Sequence, residues 1–164
     1  MLASQSDRLN YMREGPMRIT IFGLGYVGAV CAGCLSARGH EVIGVDVSQT
    51  KIDLINQGKS PIVEPGLAEL LEAGVKSGLL RGTTDVAAAV LASDLSFIAV
   101  GTPSKRNGDL DLGYMESVCK QIGTALRDKQ ERHTVVVRST VLPGTVKNVV
   151  SPLLEAASGK KAGV

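Results

Sequence analysis

Tryptophan is absent from this chain, and three tyrosines and two phenylalanines make up its aromatic content. Bases would find little to stack on, and 18 basic against 16 acidic residues form no dense basic stripe, so a nucleic-acid surface is not indicated. No apolar run approaches the roughly 20 residues of a membrane span. Cysteines number three, an odd count in a chain whose first sixteen residues lack the apolar segment of an export signal. That combination points to reduced thiols and a cytoplasmic protein. Cys31 and Cys34 have Cys-x-x-Cys spacing, but they fall among alanines and glycine inside an expected helix, and no second ligand pair follows. They are read as core packing, with no metal site.

Glycine is abundant, at 19 of 164 residues, and 44% hydrophobic content suffices for one domain with a real core. Residues Met1 to Pro16 are polar and mixed in charge and read as a flexible leader, so the folded domain is expected over 17–164. It opens on Arg18-Ile19-Thr20-Ile21-Phe22, an apolar run that enters Gly23-Leu24-Gly25-Tyr26-Val27-Gly28. The spacing Gly-x-Gly-x-x-Gly after a buried strand suits a dinucleotide. Gly23 allows the tight turn, Gly25 leaves room for a pyrophosphate, and Gly28 lets the next helix pack closely on the strand. The N–H groups and positive dipole end of that helix then face the phosphates.

A small-residue helix from Ala29 to Arg38, a stop at Gly39 and a second strand, Glu41-Val42-Ile43-Gly44-Val45, complete a βαβ opening that ends at Asp46. Asp46 lies 18 residues beyond Gly28, close to the offset of about 20 at which an acid meets the adenosine ribose. A carboxylate there accepts from both ribose hydroxyls and repels a 2′-phosphate. No arginine follows to receive such a phosphate, so the expected cofactor is NAD and not NADP. A helix capped by Ser48 carries Lys51 near Asp46, within reach of the outside of the same ribose.

Strands and helices alternate to the end of the chain, the pattern of an α/β, doubly wound parallel sheet of Rossmann type. After the loop Ser60 to Leu67 come a helix to Val75, a third strand from Leu79 to Thr83, a short helix to Leu91 and a fourth strand from Asp94 to Val100. A helix from Leu112 to Leu126, a fifth strand from His133 to Arg138 and a helix from Thr145 to about Glu155 follow. Ligands collect outside the carboxyl ends of such strands, which places Thr102 after the fourth and Thr140 after the fifth at the crevice. His40 and His133 sit at the opposite ends and receive no catalytic role. The chain reaches Val164 before a sixth strand, so the fifth is expected to be an edge covered by leader, tail or another chain; a homo-oligomer is expected.

These segments resemble the nucleotide-diphosphosugar 6-dehydrogenases, the family of UDP-glucose and GDP-mannose dehydrogenases. The likeness covers Met17 to Val164 and rests on Ile21-Phe22-Gly23-Leu24-Gly25-Tyr26-Val27-Gly28, Gly39 to Asp46, Glu64-Pro65-Gly66-Leu67, Val100-Gly101-Thr102-Pro103 and Arg138 to Thr145. Ala29 to Ser36 and Pro103 to Tyr114 incline it to the GDP-mannose branch, with the UDP-glucose branch as the alternative. The resemblance implies oxidation of a C6 alcohol to a carboxylate by two hydride transfers to NAD, with a thioester hydrolysed between them; the mannuronate product would serve alginate-type polysaccharide. It also implies backbone contacts from Tyr26 and Val27 to the pyrophosphate, although their side chains alone suggest core packing. Asp46 and Lys51 fall on the adenosine ribose, Thr102 and Thr140 near the nicotinamide, and Thr140 helps hold the catalytic water.

The family's nucleophilic cysteine, its lysine partner and most sugar-nucleotide contacts belong to a second half that is absent here, and Cys31, Cys34 and Cys119 do not match that cysteine's motif. The chain therefore reads as an amino-terminal fragment, inactive alone, whose parent meets its nucleotide sugar through the missing half. Two other readings remain. A non-catalytic NAD-binding module would keep the same residues. A methyltransferase using S-adenosylmethionine would usually carry an acid on the first strand, where Ile19-Thr20-Ile21-Phe22 has none.

Overall fold

The five runs read as strands become strands, and the stretches between them become crossovers with helix. The protein is seen here as a computed structural model that describes residues 15–163; most of the expected leader lies outside the described residues. The strands are β1 (Arg18–Phe22), β2 (Glu41–Val45), β3 (Leu80–Thr83), β4 (Leu95–Ile98) and β5 (Thr134–Val137). The helices are α1 (Tyr26–Ala37), α2 (Gln49–Asn56), α3 (Leu67–Lys76), α4 (Val86–Ala92), α5 (Gly113–Asp128) and α6 (Ser151–Ser158), the last entered through a π-helical turn, Val146–Val150.

All four pairings are parallel, in the order β3-β2-β1-β4-β5. The chain winds from β1 outward to β3, then returns to the other side of β1, which makes β1 and β4 the switch point. Register brings the strand ends level. Phe22 stands opposite Val45 and Ile98, Val45 opposite Thr83, and Ile98 opposite Val137, so five loops leave from one edge. Among the described residues no strand follows β5, and the expected absence of a sixth strand holds.

Side chains alternate across the sheet, and those of the inner part of β1 and of β2 are buried on both faces, while the edge strands β3 and β5 are only partly covered. Ile19, Ile21 and Val42 pack with Ala29 and Ala32 of α1, Ile52 and Ile55 of α2, and Leu67 and Leu71 of α3. On the other face Phe22, Ile43, Val45 and Ile98 meet Ala89 and Val90 of α4, Met115, Cys119 and Ile122 of α5, and Val150. Burying such a side chain contributes about 1.5–3 kcal/mol.

Polar groups tie the amino-terminal edge. Thr20 Oγ1 donates to Ala89 O at 3.0 Å, and Lys129, 3% exposed, gives its ammonium protons to the carbonyls of Val90, Leu91 and Ser93 at 3.0, 2.9 and 2.6 Å. Lys129 thereby satisfies Leu91 O and Ser93 O where α4 ends, and shares Val90 O with Ser93 N, which reaches it at 3.3 Å. Burial holds its pKa below the ordinary lysine value.

The structure differs from the sequence expectations in particular places. α1 begins at Tyr26, three residues before the expected Ala29, because the third glycine lies inside the helix and does not precede it. The last helix is also not uniform. Pro152 has no N–H to return to the turn before it, and the chain widens there into the π-helical turn. Cys34 is exposed, Cys31 half-buried, and only Cys119 belongs fully to the core, so the expectation that both α1 cysteines are core residues is corrected.

Candidate cofactor site

Between β1 and α1 the chain must reverse almost in place. Gly23 does so at φ +93°, and a Cβ there would lie 2.9 Å from Ala99 O on the neighbouring β4 loop. At Gly28 a Cβ would come within 1.7 Å of Gly23 O, so no side chain fits and α1 rests directly on the turn. Gly25 is different: a Cβ there would meet nothing within 4 Å. Open space thus lies in front of the helix. Gly25 is the N-cap and gives no side-chain hydrogen bond, and the first turn of α1 carries no acid. The first N–H groups of a helix lack intrahelical partners, so this end offers donors and positive dipole to an anion.

Asp46 stands at the end of β2 beside that turn. Its Oδ2 accepts from Leu24 N at 2.8 Å and from Lys51 Nζ at 3.1 Å, and its Oδ1 accepts from Ser48 N at 2.9 Å. Burial pushes its carboxyl up, yet the Ser48 and Leu24 amides and the Lys51 ammonium outweigh this and hold it below the usual value. The carboxylate is therefore charged and fixed against the glycine turn. Ser48 precedes α2 but makes no side-chain cap; the local bond runs instead from its N–H to Asp46. Lys51 turns inward to Asp46, so it would meet a ribose from beside the carboxylate.

Beyond β4 and β5 the two loops are joined. Thr102 Oγ1 donates to Thr140 O at 2.8 Å, and Ser139 Oγ donates to Val100 O at 2.6 Å. Thr140 is exposed and Thr102 half-buried. Sequence reasoning missed Ser139, because a hydroxyl that latches two loops 39 residues apart has no spacing signature. It also missed the Leu24 amide as a partner of Asp46. Tyr26 and Val27, whose side chains suggested core packing, are 57% and 36% exposed. They stand at the mouth of the site on the first turn of α1.

The structure thus brings together three groups along one edge: the Asp46–Lys51 pair at β2, the bare N-terminus of α1 at β1, and the threonine loops at β4 and β5. A dinucleotide diphosphate fits that row, with its phosphates at the open space before Gly25. Thiols do not join it. Burial, with Glu116 nearby, pushes Cys119 up to about 11, and burial also raises Cys31. Among the described residues no cluster of His, Cys, Asp and Glu could hold a metal ion.

Residues 17–164 match the model of the UDP-glucose/GDP-mannose dehydrogenase family, NAD binding domain. The chain is similar to GDP-mannose 6-dehydrogenase of Pseudomonas aeruginosa, 79% identical over 148 residues that make up 90% of this chain and 34% of that protein. A UDP-glucose 6-dehydrogenase of Haloferax volcanii is 43% identical over 149 residues, again 90% of this chain and 34% of the relative. Among solved structures, a ternary complex of the Pseudomonas aeruginosa GDP-mannose dehydrogenase superposes with a TM-score of 0.90 at 79% identity, covering 90% of this chain and 34% of that one. The chain thus spans about a third of the length of these relatives. It belongs to the UDP-glucose/GDP-mannose dehydrogenase family, within that family's NAD binding domain.

Proposed function

We propose that residues 17–164 form the cofactor-holding part of a GDP-mannose 6-dehydrogenase, a protein that takes GDP-mannose to GDP-mannuronate in two NAD-dependent oxidations. The observation that carries this is the Asp46 carboxylate, fixed by Leu24 N and Ser48 N beside an α1 N-terminus with open space before it. Identity of 79% to a GDP-mannose enzyme against 43% to a UDP-glucose enzyme favours the GDP sugar. NAD supplies the hydride acceptor. The chain's own residues bind and orient: Gly23, Gly25 and Gly28 shape the cradle, Tyr26 and Val27 donate backbone N–H groups to the diphosphate, and Asp46 accepts from the adenosine ribose hydroxyls with Lys51 at its side. Thr102 and Thr140 line the nicotinamide end, where Thr140 helps to hold the water that attacks the thioester.

In this reading the sugar-binding half and its nucleophile lie in the remaining two thirds of such a protein, and the parent is a cytoplasmic homo-oligomer supplying alginate-type polysaccharide. Free cysteines support that compartment, and no helix among the described residues is long and apolar enough to cross a membrane. Calorimetric titration tests the cofactor assignment. NAD is expected to bind in preference to NADP, and Asp46→Ala to weaken NAD by roughly ten- to hundred-fold, about 1.5–3 kcal/mol, through lost charged hydrogen bonds. Unchanged NAD affinity in that variant would overturn the role of Asp46.

A further inference from the structure

Tyr26 is the first residue of α1, and its ring stands out into solvent where a core position would have hidden it. Its hydroxyl donates to Glu64 Oε2 at 2.7 Å, a partner 38 residues away. That bond, and to a lesser degree burial and the Glu64 charge, raises the phenol's pKa, so it remains a donor throughout the physiological range. Glu64 belongs to the segment between α2 and α3, bracketed by Pro61 and Pro65. Its neighbours are anchored. Ser60 Oγ donates to Ile62 O at 2.6 Å, Ile62 packs on the core, and Leu67 N closes back on Glu64 O at 3.3 Å as α3 begins. Between those anchors Val63 is fully exposed, and the Glu64 carboxylate reaches α1.

As a stabiliser of the fold this bond contributes little, since a solvent-exposed hydrogen bond yields only a small net gain. Its position suggests another use. Prolines limit the loop's freedom, and the Tyr26 hydroxyl ties it to the same turn whose N–H groups face the open space at Gly25. A free tyrosine ring at the head of α1 would sweep across those donors. Held by Glu64, it stays to one side, and the loop stays against the cradle.

We propose that Glu64 is a positioning residue for the dinucleotide, acting through the Tyr26 hydroxyl to hold ring and loop beside the diphosphate and so to slow its departure. This rests on the NAD reading above. The effect belongs in the dissociation rate, where interface changes are mostly felt. Stopped-flow displacement of NAD from the full chain is the test, with Tyr26→Phe, Glu64→Ala, Glu64→Gln and the Tyr26→Phe/Glu64→Ala pair. Tyr26→Phe and Glu64→Ala are each expected to release NAD about three- to ten-fold faster, the size of one ordinary solvent-exposed hydrogen bond. The pair should be no faster than either single change, and Glu64→Gln, which keeps an acceptor oxygen, should stay near the parent rate. Amide exchange in the NAD-free chain gives a second readout: loop 59–66 opens faster in the phenylalanine and alanine variants and not in the glutamine one. Equal release rates across the set, or a Glu64→Gln variant that holds NAD longer than the parent, would overturn the inference while leaving the cofactor site standing. Failure of the unsubstituted chain to bind NAD would instead refute the cofactor reading and this inference with it.

Discussion

His133 has both ring nitrogens engaged at the amino-terminal edge of the sheet. Nδ1 donates to Ser93 O at 3.1 Å, which leaves Nε2 to accept from Ser96 Oγ at 2.8 Å. Burial, then the nearby Lys129 ammonium, pushes its pKa down from 6.5 to about 4. An unfolded chain takes up this proton at about 6.5 and the folded one only near 4, so the unfolded state binds more protons between those values. Stability contributed by neutral His133 is complete above pH 6.5, falls as pH drops towards 4, and changes little below. Allowing for partial exposure, the loss is on the order of 1–2 kcal/mol. Denaturant titrations between pH 7 and pH 4 are expected to show that decline, and His133→Gln to flatten it; an equal slope in both proteins would remove His133 as its source. The histidine's position away from the ligand edge was legible in the sequence, because the strand it precedes was. Its two partners were not, since Ser93 and Ser96 come from a turn and strand that only the fold brings beside it.

Elements were easier to read than their joints. β2 appears at its expected bounds, and the row Gly23, Asp46, Thr102, Thr140 falls on one edge as the strand order requires. What alternation cannot carry is the start of α1: a glycine counts against a helix, yet Gly28 sits inside one because nothing larger clears Gly23 O. Nor does it carry side-chain links such as Asp46 to Leu24. β5 shows what the parallel ladder leaves over. Thr134 N and Arg138 N donate to Asp94 O and Ile98 O on the β4 side, so alternation turns the amides of Val135 and Val137 outward. A groove of about 750 Å³ runs beside them, lined by Val135, Val137, Val150, Leu154 and Lys160 among others. In hydrogen exchange the Val136 amide should be protected, and those of Val135 and Val137 should exchange quickly in a monomer. Protection of all three would show that leader, tail or a second copy covers the edge, as the sequence led us to expect.

At the scale of the whole molecule, the sheet keeps two kinds of chemistry at opposite ends. The carboxyl edge carries the Asp46 pair, the head of α1 and the threonine loops; the amino edge carries Arg18 with Asp94 at 2.6 Å, Lys129 and His133. Hydride transfer needs the sugar's C6 within about 3–3.5 Å of the nicotinamide, and small misplacements cost orders of magnitude in rate. In the proposed reading this chain supplies only the cofactor side of that geometry. Cys119 is buried with its thiol raised to about 11, and Cys34, nine residues along α1 from Gly25, is about 13 Å from the cradle by helix rise. With NAD and GDP-mannose, or with UDP-glucose, the isolated chain is expected to give no sustained rise in reduced-nicotinamide absorbance; steady turnover would show a nucleophile within these 164 residues.

The outward amides of β5 also act as a ruler with a pitch of two residues. Any strand that joins there must show alternate side chains to the groove beside α6, where Val150 and Leu154 lie among Glu155 and Lys160, so it can slip by two residues and present the same face, but a slip of one exchanges every inward group for an outward one. Insertions and deletions between this domain and a joining strand are therefore absorbed in the connecting loop or in even steps along the strand, and a single-residue shift within the strand itself is the change this edge rejects.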